Sequence, residues 1–108
     1  MRVVNGEILD VVLDLRKSSA TFGQWASEII SNKNNKMIWI PAGFAHGFLA
    51  KTYNCQVQYK TTKTYSPELE RTVIWNDPQL NINWGVVKPI LSKKDLNGKL
   101  FCKSIYFE

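Results

Sequence analysis

The sequence predicts an all-β domain, an antiparallel sandwich or barrel of short strands with one short C-terminal helix. Short apolar runs recur along the chain, turn-forming residues punctuate them at regular spacing, and a helix start signal is convincing at only one place. With 108 residues, 44% hydrophobic and 12% aromatic, the chain supports one packed core and gives no linker or repeat that would mark a second domain.

Glu7 to Leu15 reads as an extended strand with Leu9, Val11, Leu13 and Leu15 on one face and Asp10 and Asp14 on the other, beside Ile8 and Val12. The odd-numbered face is wholly apolar and must be covered. Arg16 to Thr21 is a polar turn, and Phe22-Gly23-Gln24 leads into a second strand from Trp25 to Ile30. Ser31 to Lys36 is the clearest turn, because Asn and Ser bond their own backbone and tolerate left-handed geometry. A strand at Met37 to Ile40 follows, then a Pro41/Gly43 turn, a short strand at Phe48 to Ala50 and a longer one from Gln56 to about Thr64. Thr72 to Trp75 is a further strand, ended by Asn76-Asp77-Pro78. Ser92 as N-cap with Asp95 three residues on forms a capping box and starts the helix.

A formal charge of +5 favours anionic partners such as nucleotides or phosphates, but the fourteen Lys and Arg residues are scattered and form no dense basic block. A nucleic-acid surface is not expected from that pattern. Cys55 and Cys102 lack Cys-x-x-Cys spacing, which suits a reduced cytoplasmic protein with structural thiols. No run approaches the ~18 apolar residues of a membrane span, and the start carries no charged leader before a long apolar stretch, so a soluble chain without a membrane partner is expected.

His46 is the only histidine. Any chemistry that needs an imidazole must use it, and one His with two Cys cannot assemble a Cys/His zinc cluster or a multi-histidine metal site. No metal and no cofactor are therefore expected. His46 sits in Pro41-Ala42-Gly43-Phe44-Ala45-His46, and a strand, Pro-x-Gly-x-x-His and a second strand resembles the second motif of the cupin fold. In that fold the imidazole faces the mouth of a small antiparallel β-barrel, or jelly roll. A turn histidine satisfied by backbone groups accounts for the six residues equally well.

Neighbouring segments add to this. Gly6-Glu7-Ile8-Leu9-Asp10 through Arg16, Ser19-Ala20-Thr21-Phe22-Gly23-Gln24-Trp25, Trp39 through Phe48, Tyr59-Lys60-Thr61-Thr62, Tyr65-Ser66-Pro67-Glu68-Leu69-Glu70, Ile74-Trp75-Asn76-Asp77-Pro78 and Leu91-Ser92-Lys93-Lys94-Asp95 follow in order. This series, covering nearly the whole chain, resembles the dTDP-4-dehydrorhamnose 3,5-epimerases. The resemblance implies metal-free epimerisation of a dTDP-4-keto-6-deoxyhexose, the step that supplies L-rhamnose-type sugars for polysaccharides. Such chemistry needs a base for the proton α to the C4 carbonyl, a group that stabilises the enolate oxygen, and an acid on the opposite face.

By the same resemblance Tyr59 is the proton donor and Asp95 the carboxylate that orients the base histidine. His46 hydrogen-bonds in the substrate pocket without being the base, and Tyr65 is a substrate contact. Read locally, Tyr59 is a barrel-lining aromatic, Tyr65 a strand-end anchor before Pro67, and Asp95 a capping carboxylate.

The family's base histidine belongs to a Gly-hydrophobic-Arg-Gly-x-His segment upstream, and its oxyanion lysine precedes the region of Val3-Val4-Asn5-Gly6-Glu7. Met1 falls after both, so no residue here takes either role by motif. The expectation is a single cupin-like domain over residues 1–108, N-terminally shortened relative to the family, an epimerase by family resemblance whose base and oxyanion segments are absent from this chain. Three readings follow: a chain competent only with a complementary N-terminal piece, a non-catalytic module that binds a nucleotide sugar or serves in assembly, and a related ketoisomerisation with His46 as base. A homodimer or higher homo-oligomer is expected, to hide the odd-numbered face of Leu9 to Leu15.

Overall fold

The computed structural model describes residues 1–61 and 70–107. Among them the strands are β1 (Arg2–Asn5), β2 (Glu7–Asp14), β3 (Trp25–Ser31), β4 (Phe44–Ala50) and β5 (Gln56–Gln58), followed by one short helix, α1 (Lys93–Leu96), and a 3₁₀ turn at Phe101–Lys103. β2 is the centre of an antiparallel sheet ordered β3-β2-β4, and β1 pairs antiparallel with β5 in a second, two-stranded sheet. The all-β expectation and the C-terminal helix are both met.

β1 runs on into β2 through Gly6, which takes φ +93°, and both neighbours follow it across the join: Ser31 opposite Glu7 leads on to Met37 opposite Arg2, and Ala50 opposite Ile8 leads on to Gln58 opposite Arg2. Val3 from one sheet meets Ile8 and Ile30 from the other, with Met1, Ile38, Cys55 and Val57 packed around them. This interior receives the even-numbered face of β2. The odd-numbered face is buried as well: Leu13 and Leu15 pack on Leu80 and Phe101, among Trp25, Ala45, Val73, Ile82 and Tyr106. The expectation that this face needs a second copy to cover it is corrected, because the C-terminal third of the same chain lies across it. Trp25 fastens that cover by donating its indole N–H to the Leu80 carbonyl at 2.9 Å.

Several strand boundaries differ from expectation for local reasons. Met37 to Ile40 is not a strand. It makes one antiparallel bridge, Arg2 with Met37, and the Met1 and Ile38 backbones exchange two hydrogen bonds at 2.8 and 2.9 Å. Thr72 to Trp75 is likewise reduced to a parallel bridge between Val73 and Lys99. β5 stops at Gln58, and the remainder of the strand expected to about Thr64 runs partly outside the described residues. β4 is longer than expected. It begins at Phe44, directly after the Pro41/Gly43 turn, because Phe44 to Ala50 pairs with β2 without a break.

The Ser31 to Lys36 turn forms as read. Asn34 Oδ1 accepts from the Ser31 and Lys36 amides, Ser31 Oγ accepts from the Lys33 and Asn34 amides, and Asn35 takes φ +54°. Among the described residues no helix is long and apolar enough to cross a membrane.

Candidate functional site

Because β4 starts at Phe44, His46 lies within a ladder instead of on the turn. It stands opposite Val12, while Asp10 stands opposite Phe48. Asp10 and His46 are thus diagonal neighbours on one sheet face, close enough for polar side chains to meet. They do: Nε2 of His46 lies 2.5 Å from Oδ1 of Asp10. When the carboxylate is ionised it only accepts, and the shared hydrogen is then the ring's Nε2–H.

Asp10 is 1% exposed and its Oδ2 has no hydrogen-bond partner among the described residues. The His46 side chain keeps 26% of its surface exposed. The arrangement holds the ring by one nitrogen and leaves Nδ1 as the atom available to a ligand. Nδ1 accepts a proton when the ring is neutral and donates one when it is charged. The Phe48 ring flanks the imidazole, with centroids 6.2 Å apart.

A cavity of about 410 Å³ borders β4 and is lined by Val11, Leu13, Val73 and Trp84 of the odd-numbered side, the face opposite the Asp10–His46 pair, with His46, Trp75 and Asp95 also at its border. Trp84 closes it from the side of Gly47. Its indole N–H donates to the Trp75 carbonyl at 2.8 Å, and the ring edge lies 3.4 Å from where a Cβ on Gly47 would sit. Asp95 occupies the third position of α1, where its amide donates to Ser92 Oγ at 3.2 Å. The Ser92 half of the capping box forms as expected, but among the described residues the exposed Asp95 carboxylate returns no hydrogen bond to the Ser92 amide, so the expectation of a capping carboxylate is corrected.

Of the expected site residues, His46 and Asp95 border one cavity. Tyr59 is not part of that lining. It follows β5 directly and is 65% exposed. Tyr65 lies outside the described residues.

Asp10 is the residue that sequence reasoning missed, having assigned it to a polar face. The signal was present: Ile8 and Val12 flank it at strand spacing on its own face, while Leu9 and Val11 are apolar on the other. A strand apolar on both faces is buried on both, and a carboxylate within it must have a partner.

The family model for dTDP-4-dehydrorhamnose 3,5-epimerase matches residues 1–103. The chain belongs to that family. Among curated relatives, the Pseudomonas aeruginosa dTDP-4-dehydrorhamnose 3,5-epimerase is 47% identical over 99% of this chain and 60% of its own length. The Shigella flexneri enzyme is 46% identical over 99% of this chain and 59% of its own. Among solved structures, the Bacillus anthracis epimerase with TDP and PPi bound superposes with a TM-score of 0.90 at 44% identity, covering 93% of this chain and 57% of that one. The Legionella pneumophila dTDP-6-deoxy-D-glucose-3,5-epimerase in complex with dTDP-4-keto-L-rhamnose gives 0.82 at 38% identity, covering 94% and 55%. The β-barrel of this epimerase family is therefore the fold of this chain, which spans about 60% of the length of the first of these relatives.

Proposed function

We propose that this chain supplies part of the substrate pocket for metal-free 3,5-epimerisation of a dTDP-4-keto-6-deoxyhexose, in the cytoplasm and as a homodimer or higher homo-oligomer. The observation that carries the reading is the Asp10–His46 pair on the inner face of a barrel of this family. Asp10 holds the imidazole by Nε2, leaving Nδ1 to bond an oxygen of the keto sugar. Tyr59, which follows β5 directly, is the proposed acid on the strength of the family resemblance. Its hydroxyl suits return of a proton to the carbon next to the carbonyl, and Tyr65 is a second sugar contact. Asp95 acts beside the cavity as the carboxylate that orients a base histidine.

His46 is the one histidine in the chain, so an orienting role for Asp95 requires an imidazole from elsewhere. This favours a second reading in which the chain alone is a non-catalytic module that binds a nucleotide sugar.

Solvent-deuterium incorporation at C3 and C5 separates the two. Exchange that falls by about 10²–10⁴-fold in Tyr59→Phe supports epimerisation with Tyr59 as acid. dTDP binding in titration calorimetry without exchange supports the module, and absence of both leaves the chain by itself only a structural role. Light scattering at micromolar concentration tests assembly, and a monodisperse monomer overturns that part.

A further inference from the structure

At the far end of the β2–β4 ladder stands a cluster that the proposed chemistry does not use. Asp14 is 2% exposed and pairs across the sheet with Phe44, the first residue of β4. Arg16 grips its carboxylate with two side-chain bonds, Nε to Oδ1 and Nη2 to Oδ2, each 3.0 Å, and adds its own amide to Oδ1 at 2.9 Å. Thr21 donates its hydroxyl to Oδ2 at 2.5 Å, and Arg16 Nη2 also reaches Ser19 Oγ at 3.2 Å.

From that fixed position the Arg16 guanidinium stacks on the Phe44 ring, 4.7 Å from its centroid. Its stem fills the space beside Gly43: a Cβ there would lie 2.6 Å from Arg16 Cγ, and Gly43 has φ +93°, which suits glycine. The Gly43 carbonyl accepts from the Leu15 amide at 3.0 Å. Asp14, Leu15 and Arg16 therefore hold both residues at which the turn becomes β4.

His46 is two residues further along. It reaches Asp10 only as a diagonal neighbour, and a slip of one residue would turn it to the other face of the sheet. We propose that Arg16 is a positioning residue for His46: bound to Asp14 and packed on Gly43 and Phe44, it fixes where β4 begins and so aims the imidazole at Asp10. This rests on the proposed pocket role of His46, but its test does not depend on turnover.

A single histidine gives a single set of imidazole resonances, so ¹⁵N-edited NMR reads the pair directly at fixed pH. Wild type should show a strongly downfield, exchange-protected Nε2–H proton. Arg16→Lys keeps the charge but loses the planar fork and the stacking, and Gly43→Ala drives a methyl into the Arg16 stem. Both should abolish the protected proton and mix the ring tautomers. Leu80→Ala, which loosens the core on the other face of the sheet, should lower the melting temperature and leave the imidazole spectrum unchanged.

Wild-type imidazole spectra in both Arg16→Lys and Gly43→Ala overturn the proposal. So does a change in Leu80→Ala as large as theirs, since the effect would then be general loosening. Deuterium exchange is read separately: intact positioning without exchange counts against the epimerase reading alone.

Discussion

The Asp10 carboxylate is buried and bonds one imidazole nitrogen, with its second oxygen unpaired among the described residues. Removing the ring therefore costs more than one hydrogen bond, because a buried carboxyl is left without a partner. His46→Ala should destabilise by about 2 kcal/mol, below the usual figure for a broken buried pair because the imidazole side is partly solvated. Asp10→Asn in that background should recover part of the loss, and urea denaturation of the double-mutant cycle measures it. Additive losses would show that the two side chains are not coupled. In sequence the imidazole was legible, as the only histidine in the chain on a Pro-x-Gly-x-x-His turn. Its partner was not, since Asp10 is 36 residues away and becomes a neighbour only through the β2–β4 register.

Among the elements, the short C-terminal ones are held by close backbone approach more than by length. Gly98 lets the chain pass against Val73 and Ile74: a Cβ there would meet Ile74 N at 2.7 Å and the Val73 carbonyl carbon at 2.9 Å. Gly98→Ala should push that crossing apart, break the hydrogen bonds that the Ile74 amide donates to the Lys99 carbonyl and the Lys99 amide to the Thr72 carbonyl, and cost about 2 kcal/mol. The same substitution should deform the Trp75 wall of the cavity, visible as a change in tryptophan fluorescence. Ser92→Ala removes only the cap of an exposed four-residue helix, so about 0.5 kcal/mol is expected in thermal melts.

Capping chemistry is local, which is why α1 was legible residue by residue. The Met37 to Ile40 and Thr72 to Trp75 segments have strand composition but form only single bridges, because strand state depends on a partner that the local sequence does not name.

At the scale of the whole molecule, the Asp14–Arg16 cluster contributes to the response to acid. The Arg16 guanidinium, with the Ser19 and Thr21 hydroxyls, outweighs burial and holds the Asp14 carboxyl well below the usual carboxylate range. The unfolded chain titrates this group near pH 4, so below that the unfolded state binds a proton that the folded state refuses. Its contribution is complete above about pH 4 and is lost progressively as pH falls toward the depressed folded value. Melting temperature should consequently fall on acidification from pH 4 to pH 2 more steeply in wild type than in Asp14→Asn. Parallel curves would remove Asp14 from the acid response.

Alternation, turn chemistry and ordered motifs were enough, in the sequence by itself, to determine an all-β fold, the turns at Ser31 to Lys36 and at Pro41/Gly43, the α1 cap and the family resemblance. Each of these depends on residues close together in the chain or on motifs in linear order. Only the tertiary structure decided that β2 is buried on both faces, that the chain covers its own odd-numbered face, and that Asp10 meets His46. Those outcomes follow from register and from which distant segment packs on which face, and such pairings join residues that local preference cannot bring together.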